Sequence, residues 1–136
     1  MRLLATLGRL FVPSWRFFDE AASGIALRAR VTTAQASAGP WLQVLLPPPR
    51  RVHHILWNPE GNRVLAAYSL LERLLQDAAD EDARSLQTSQ ALVTELVRAE
   101  VTRLGLASPG DTVEFIVVDA EPDGEQELIR SEPFTC

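Results

Sequence analysis

Residues 63–104, RVLAAYSLLERLLQDAADEDARSLQTSQALVTELVRAEVTRL, contain two amphipathic helical patterns joined by an acidic break. In the first pattern apolar residues recur at gaps of three and four, which fits the 3.6-residue period of a helix and not the two-residue period of a strand. Its apolar stripe consists of Val64, Tyr68, Leu71, Leu75 and Ala78, widened by Leu70 and Leu74. The polar positions that fall largely away from this stripe are Arg63, Arg73, Gln76 and Asp77.

The start of this first helix has two interpretations. Asn58 could cap a helix with Pro59 at its first position, where the missing N–H of proline costs nothing. Alternatively, residues 58–61 form a type I turn, and Asn62 caps the helix by accepting from its unpaired N–H groups. We prefer Asn62, because Gly61 is a poor residue inside a helix.

The second pattern has a well-defined end. Its apolar stripe consists of Leu86, Val93, Leu96, Val97, Val101 and Leu104. Gly105 suits the left-handed position after a helix, Leu106 can then contact Val101, and Pro109 prevents continuation. Glu100 and Arg103 are spaced to pair on the outer face of this helix.

The acidic break between the helices consists of Asp77, Asp80, Glu81 and Asp82. A metal site is one interpretation of this cluster. A solvated, charged helix end is the interpretation that the composition favours.

Residues 25–32 alternate apolar and polar side chains, which predicts a strand with one polar face. Arg28 and Arg30 stand side by side on that face, which we interpret as a solvated sheet edge rather than an anion site. Further strands are predicted at residues 41–46, 52–57, 112–119 and 126–131. Residues 108–111 predict a type II turn, and residues 121–124 a type I turn within a longer hairpin loop.

The order of elements is helix, three strands, two helices and two strands, which favours an α+β fold over a parallel α/β sheet. We predict two layers: a mainly antiparallel sheet of about five strands with two amphipathic helices on one face, preceded by an N-terminal amphipathic helical segment. With 136 residues, the chain divides into that segment, residues 1–22, and one domain, residues 23–136.

The first 20 residues are unusually aromatic and carry Arg2, Arg9 and Arg16 at seven-residue intervals. The apolar run is too short for a secretory signal, and three arginines argue against a membrane span. Such a segment suits a membrane interface, with arginines among headgroups and rings at the acyl boundary. The predicted partner- or membrane-binding residues are Arg2, Leu3, Leu7, Arg9, Phe11, Trp15, Arg16, Phe17 and Phe18. Two alternatives stay open: a helix that covers the domain's own sheet, and an interface with a soluble partner or a second copy.

Charge and cysteine content narrow the class of protein. The net charge of −5 argues against a general nucleic-acid binder, which usually has a basic face. Cys136 is the only cysteine, so no intramolecular disulfide can form, and we expect a cytoplasmic protein, peripheral at the inner face of the membrane. We expect Cys136 itself to lie in an inert, frayed terminus.

The sequence contains no catalytic, cofactor or metal motif that predicts an enzyme. His53 and His54 are adjacent on a predicted strand and therefore point to opposite faces, which disfavours a shared metal. The one polar cluster that we single out as an acid–base candidate consists of His54, Trp57 and Glu60.

Three functional hypotheses follow. We favour a non-catalytic accessory or interaction protein that docks through its N-terminal segment to a membrane surface or an integral membrane protein. The second is a soluble, acidic binding module or chaperone-like protein that forms a homodimer. The third is a small-molecule binder that uses the gap between sheet and helices, a hypothesis that a filled interior would remove.

Overall fold

A computed structural model describes residues 24–33, 37–46, 59–121 and 124–136. Within those ranges it confirms the α+β class, with an antiparallel sheet and two helices. The predicted N-terminal helical segment and the predicted strand at residues 52–57 lie outside the described residues. In chain order the elements are β1 (Ile25–Thr32), β2 (Leu42–Gln43), α1 (Pro59–Ala79), α2 (Ala83–Arg103), β3 (Thr112–Glu121), β4 (Gly124–Arg130) and β5 (Phe134–Thr135).

β3 is the central strand of the sheet. The strand order is β2-β1-β3-β4, and β5 also pairs with β3. β1 runs along one edge of β3, while β4 and β5 share the other edge, and every pairing is antiparallel. Because β2 pairs with β1 at Arg28 and Ala29, β1 is an internal strand, and the prediction that Arg28 and Arg30 mark a sheet edge is wrong.

α1 begins at Pro59, so the preferred start at Asn62 is wrong. Gly61 lies in the first turn of the helix and is buried. The propensity cost of glycine is about 1 kcal/mol in an exposed helix interior, and tertiary packing outweighs it at a buried first-turn position. The alternative start, with Pro59 at the first helical position, agrees with the observed boundary.

The end of α2 confirms the predicted cap. Gly105 takes a φ of 67°, and its N–H donates to the carbonyl of Thr102 at 3.0 Å. The N–H of Leu106 donates to the carbonyl of Val101 at 2.8 Å. These two bonds form a Schellman motif, which satisfies carbonyls that have no partner within the helix.

The main core lies between the helices and the sheet, and its buried side chains are 0–3% exposed. The strand residues in it alternate with residues on the other face, as the period of two requires. Core members are Leu27, Ala29, Val44, Leu45, Ala67, Leu71, Leu74, Val93, Val97, Val101, Val113, Phe115 and Val117. A second cluster, Ala26, Ile116 and Val118 with Trp41 packed against it, occupies the opposite face of the sheet.

Of the two turns that flank β3, the first has the predicted type and the second is shorter than predicted. Asp111 donates its N–H to the Ser108 carbonyl at 3.0 Å and Gly110 has a φ of 95°, which confirms the type II turn. Pairing of β3 with β4 continues to Glu121 and Gly124, so two residues connect these strands and the longer hairpin loop is wrong. The β3–β4 ladder is in register from Val118 to Glu121, which leaves no room for additional loop residues.

The last residues are not frayed, which corrects the prediction for Cys136. Its N–H donates to the Asp111 carbonyl at 2.9 Å, and its carbonyl accepts from Gly110 N–H at 3.0 Å. β5 lies on β3 immediately before it, and Cys136 packs partly against the main core. Backbone pairing therefore holds this segment in place.

Candidate functional site

The most densely charged cluster of the described residues joins the start of α1 to the end of α2. Glu100 is 3% exposed, and its Oε2 accepts from Arg103 Nη2 at 2.9 Å and Nε at 3.1 Å. Its Oε1 accepts from Arg63 Nη1. Arg63 also donates from Nη2 to Glu60 at 2.6 Å. The predicted pair of Glu100 and Arg103 therefore forms, but its position on an outer helix face is wrong.

The electrostatics of this cluster indicate a structural clamp. The hydrogen bond from Arg63 holds the pKa of Glu60 below its usual value. Two carboxylates and two guanidiniums leave the cluster with no net charge, and opposite charges within contact distance favour the ionised forms. The cluster therefore ties two helix ends together and leaves Glu60 poorly suited to accept a proton at neutral pH.

The structure describes only one residue of the predicted acid–base cluster. Glu60 is described and is committed to Arg63, whereas His54 and Trp57 lie outside the described residues. The predicted partner- or membrane-binding residues also lie outside them: Arg2, Leu3, Leu7, Arg9, Phe11, Trp15, Arg16, Phe17 and Phe18. Both sets therefore stay predictions.

A groove of about 570 Å³ runs along the outside of the helical pair, between α1 and α2. Ser89 donates from Oγ to Oδ2 of Asp77, and Arg73 Nε lies 3.4 Å from the same oxygen. Asp77 is thus buried between the helices, and its predicted place in a solvated bend is wrong. We call the groove between α1 and α2 the interhelical groove. Its lining includes Leu70, Arg73, Asp77, Arg84, Thr88 and Leu92.

The acidic break acts as a helix cap. Asp82 accepts from the Arg84 N–H at 3.1 Å and from Ser85 Oγ at 2.7 Å, and it is the N-cap of α2. No group of three or more His, Cys, Asp or Glu side chains in the described ranges is placed to hold a metal ion. Hydrogen bonds to a carboxylate favour its ionised form, so the cap holds the pKa of Asp82 below its usual value.

A second groove, of about 460 Å³, separates α2 from β4 and β5. Phe115 and Phe134 meet edge to face in its wall, with ring centroids 6.4 Å apart. The guanidinium of Arg98 lies 5.4 Å from the Phe134 ring. This aromatic contact anchors β5 to the core.

The outer face of the sheet carries arginines that are already paired. Arg30 donates to Glu114 at 2.9 Å and lies 4.7 Å from the ring centre of Trp41. Arg130 lies on the same ring at 5.5 Å. Arg28 binds Glu125 through both of its terminal nitrogens. An anion would have to displace carboxylates from these arginines, so the anion-binding interpretation gains no support.

Comparison with models of protein families, with curated proteins and with solved structures gave no match. Neither described helix combines the length and apolar character needed to cross a membrane. The side chains of the main core lie between the described helices and the sheet, and the second groove opens where α2 meets β4 and β5.

Sequence reasoning missed the buried position of Glu100. Position 100 lies between the stripe residues Val97 and Val101, so the spacing of the pattern placed it near the buried side of α2. The stripe was defined by its apolar residues alone, so Glu100, which lies beside them, was assigned to the outer face of the helix. A second signal for the burial of Glu100 was Arg63, which follows Glu60 by three residues at the start of α1.

Proposed function

We propose that this protein is a non-catalytic accessory or interaction protein that docks through residues 1–18 to a membrane surface or to an integral membrane protein. The observation that supports the proposal is the composition of that segment. It combines three arginines at seven-residue intervals with three phenylalanines and a tryptophan. Arginine stems reach along apolar surface to keep the charge in water, while rings favour the interface between headgroups and acyl chains.

The two helices of the folded domain give the proposal a second line of support. α1 and α2 are amphipathic, and their apolar faces are buried against their own sheet. Their apolar faces are thus committed to the core. In this proposal the folded domain is held at the cytoplasmic face of the membrane by the docking segment.

Vesicle flotation tests the proposal with the full chain. The vesicles contain phosphatidylcholine and phosphatidylglycerol in a 3:1 ratio, with phosphatidylcholine alone for comparison. Substituting Arg2, Arg9 and Arg16 by glutamine removes about 1 kcal/mol of surface attraction per arginine, so binding to anionic vesicles should fall by about 100-fold or more. Trp15→Ala with Phe18→Ala should weaken binding to both vesicle types, because interfacial binding scales with buried apolar area.

Matched controls separate docking from loss of folding. Replacing the same three arginines by lysine keeps the charge and should retain binding to anionic vesicles. Leu46→Ala changes an apolar side chain that is exposed on the domain and should leave binding unchanged. Unchanged flotation of the glutamine and aromatic variants would contradict a membrane surface as the docking target.

The two other hypotheses have different support. The small-molecule binder stays a prediction, and the groove between α2 and strands β4 and β5 is one place where helix and sheet leave room for a ligand. The soluble, dimeric binding module stays a prediction.

A further inference from the structure

α2 presents an exposed ridge that consists of Arg84, Thr88, Ala91 and Glu95. The gaps of four, three and four place these residues on one side of the helix. Two of the ridge residues, Arg84 and Thr88, also line the interhelical groove, and Ala91 borders the groove next to β5. The ridge therefore stands between two depressions.

The order of side chains along the ridge is the same from either end, except that the charges at the two ends have opposite signs. It runs from a cation through two small residues to an anion. An isologous interface uses the same patch on both copies, so it needs a surface that is complementary to itself. A two-fold axis through the midpoint of the ridge would place Arg84 opposite Glu95 and Thr88 opposite Ala91 of the other copy.

The charges at the ends of the ridge are available for such contacts. No carboxylate in the described part of the chain pairs with the guanidinium of Arg84. The Glu95 side chain is 67% exposed and pairs with Arg98 on its own helix. Arg84 and Glu95 lie about 16 Å apart along one helix, so they do not neutralise each other within one chain.

The shape of the surface also suits a second helix. Thr88 and Ala91 are small, which allows helix axes to approach within about 8–10 Å. Leu92, beside the ridge, is 51% exposed and faces the interhelical groove. A helical pair about 30 Å long and 20 Å wide offers about 600 Å² per copy. Two copies would therefore bury about 1,200 Å² in total, the lower end of the roughly 1,200–2,000 Å² that specific interfaces bury.

We propose that a second copy of this chain docks on this surface, forming a two-fold dimer in which α2 packs antiparallel against α2 of the other copy. Symmetric pairs between Arg84 and Glu95 flank the close contact of Thr88 with Ala91. The proposal does not depend on membrane docking, since it rests on the folded domain alone.

Sedimentation equilibrium of the full chain, over about 1–200 μM, tests the dimer and its geometry. The wild type should reach twice the chain mass of 15.0 kDa. Arg84→Glu should raise the dissociation constant by about tenfold or more, because it creates two like-charge contacts, and Glu95→Arg should do the same. The double variant reverses both charges and should return the dissociation constant to within about threefold of the wild type.

Controls keep the result decisive. Leu128→Glu replaces another exposed leucine, on β4, and should leave the dimer unchanged. Arg84→Gln and Glu95→Gln are milder variants, expected to weaken the dimer by about threefold each. Circular dichroism confirms that every variant is folded. A wild type that stays at monomer mass overturns the proposal. So does a dimer that is insensitive to the single reversals, or one that the double reversal fails to restore.

Discussion

Glu100 and Glu95 show how one residue type takes two roles on the same helix. Each has an arginine three positions later, and each pairs with it. The side chain of Glu100 is 4% exposed, whereas that of Glu95 is 67% exposed. A carboxylate that has lost its water depends on its protein partners, and its partners depend on it. The stability of the helix ends should therefore rest on Glu100.

Glu100→Gln should lower the free energy of unfolding by about 2 kcal/mol. Removing one partner of a fully buried ion pair costs about 3–5 kcal/mol, and both arginines here keep some contact with water, which reduces the loss. Glu127→Gln is the matched control, with an expected change below about 0.5 kcal/mol, because its carboxylate also pairs with an arginine three positions later but is exposed on β4, away from the proposed dimer surface. Urea unfolding followed by circular dichroism measures both. Equal losses in the two variants would show that burial does not distinguish the two pairs.

At the scale of elements, the two helices were predicted well, and their polar details were not. The spacing of apolar residues fixes the period of a helix, and a glycine followed by an apolar residue fixes its end, so α2 and its Schellman motif followed from the sequence. Asp77 and Glu100 were assigned to solvent because polarity was equated with exposure. Their burial depends on partners, Ser89 and Arg63, that lie on the facing helix and leave no periodic signal.

The cap of α2 gives this element a pH dependence. Asp82 accepts from the Ser85 hydroxyl and from the N–H groups of Arg84 and Ser85, and these bonds lower its pKa from its usual 3.8. Because the folded pKa is the lower one, the contribution of Asp82 is complete above about pH 3.8 and is lost as the pH falls through the folded pKa.

Asp82→Ala should therefore destabilise the protein at pH 6, and its difference from the wild type should shrink as the pH falls below 3.8. Urea midpoints at several pH values from 6 to about 2.5 give the comparison. Asp82→Asn keeps an acceptor oxygen without an ionisable group, so it should retain more stability than alanine and lack this pH dependence. A wild-type advantage over alanine that grows in acid would contradict the cap.

At the scale of the whole molecule, the α+β class was predictable, but the arrangement of strands was not. Alternation identified β1 and β3 as strands because each places apolar side chains on the core face. The order of strands depends on pairings between distant residues, which no local pattern contains. Arg28 and Arg30 were therefore placed on an edge, although β2 covers that side of β1. β5 was missed because a strand of two residues is too short to show a period.

Substitution of Phe134 tests whether β5, which the sequence did not predict, contributes to the stability of the fold. Its ring packs against Phe115 and beneath Arg98, and Arg98 also donates to the carbonyl of Thr135 at 3.2 and 3.3 Å. Phe134→Ala should lower the free energy of unfolding by about 2 kcal/mol, less than a fully buried phenylalanine because the ring is half-buried. Leu128→Ala, at an exposed site on β4, should cost less than about 1 kcal/mol.

Hydrogen exchange distinguishes a local from a global effect of the same substitution. The Cys136 N–H donates to the Asp111 carbonyl, so its protection reports whether the last residues stay on β3. Phe134→Ala should speed exchange at Cys136 far more than at the central residues of β3, because the aromatic contact anchors β5 while β1 continues to hold β3. Unchanged protection at Cys136, together with an unfolding free energy within about 0.5 kcal/mol of the wild type, would show that β5 contributes nothing to the stability of the sheet.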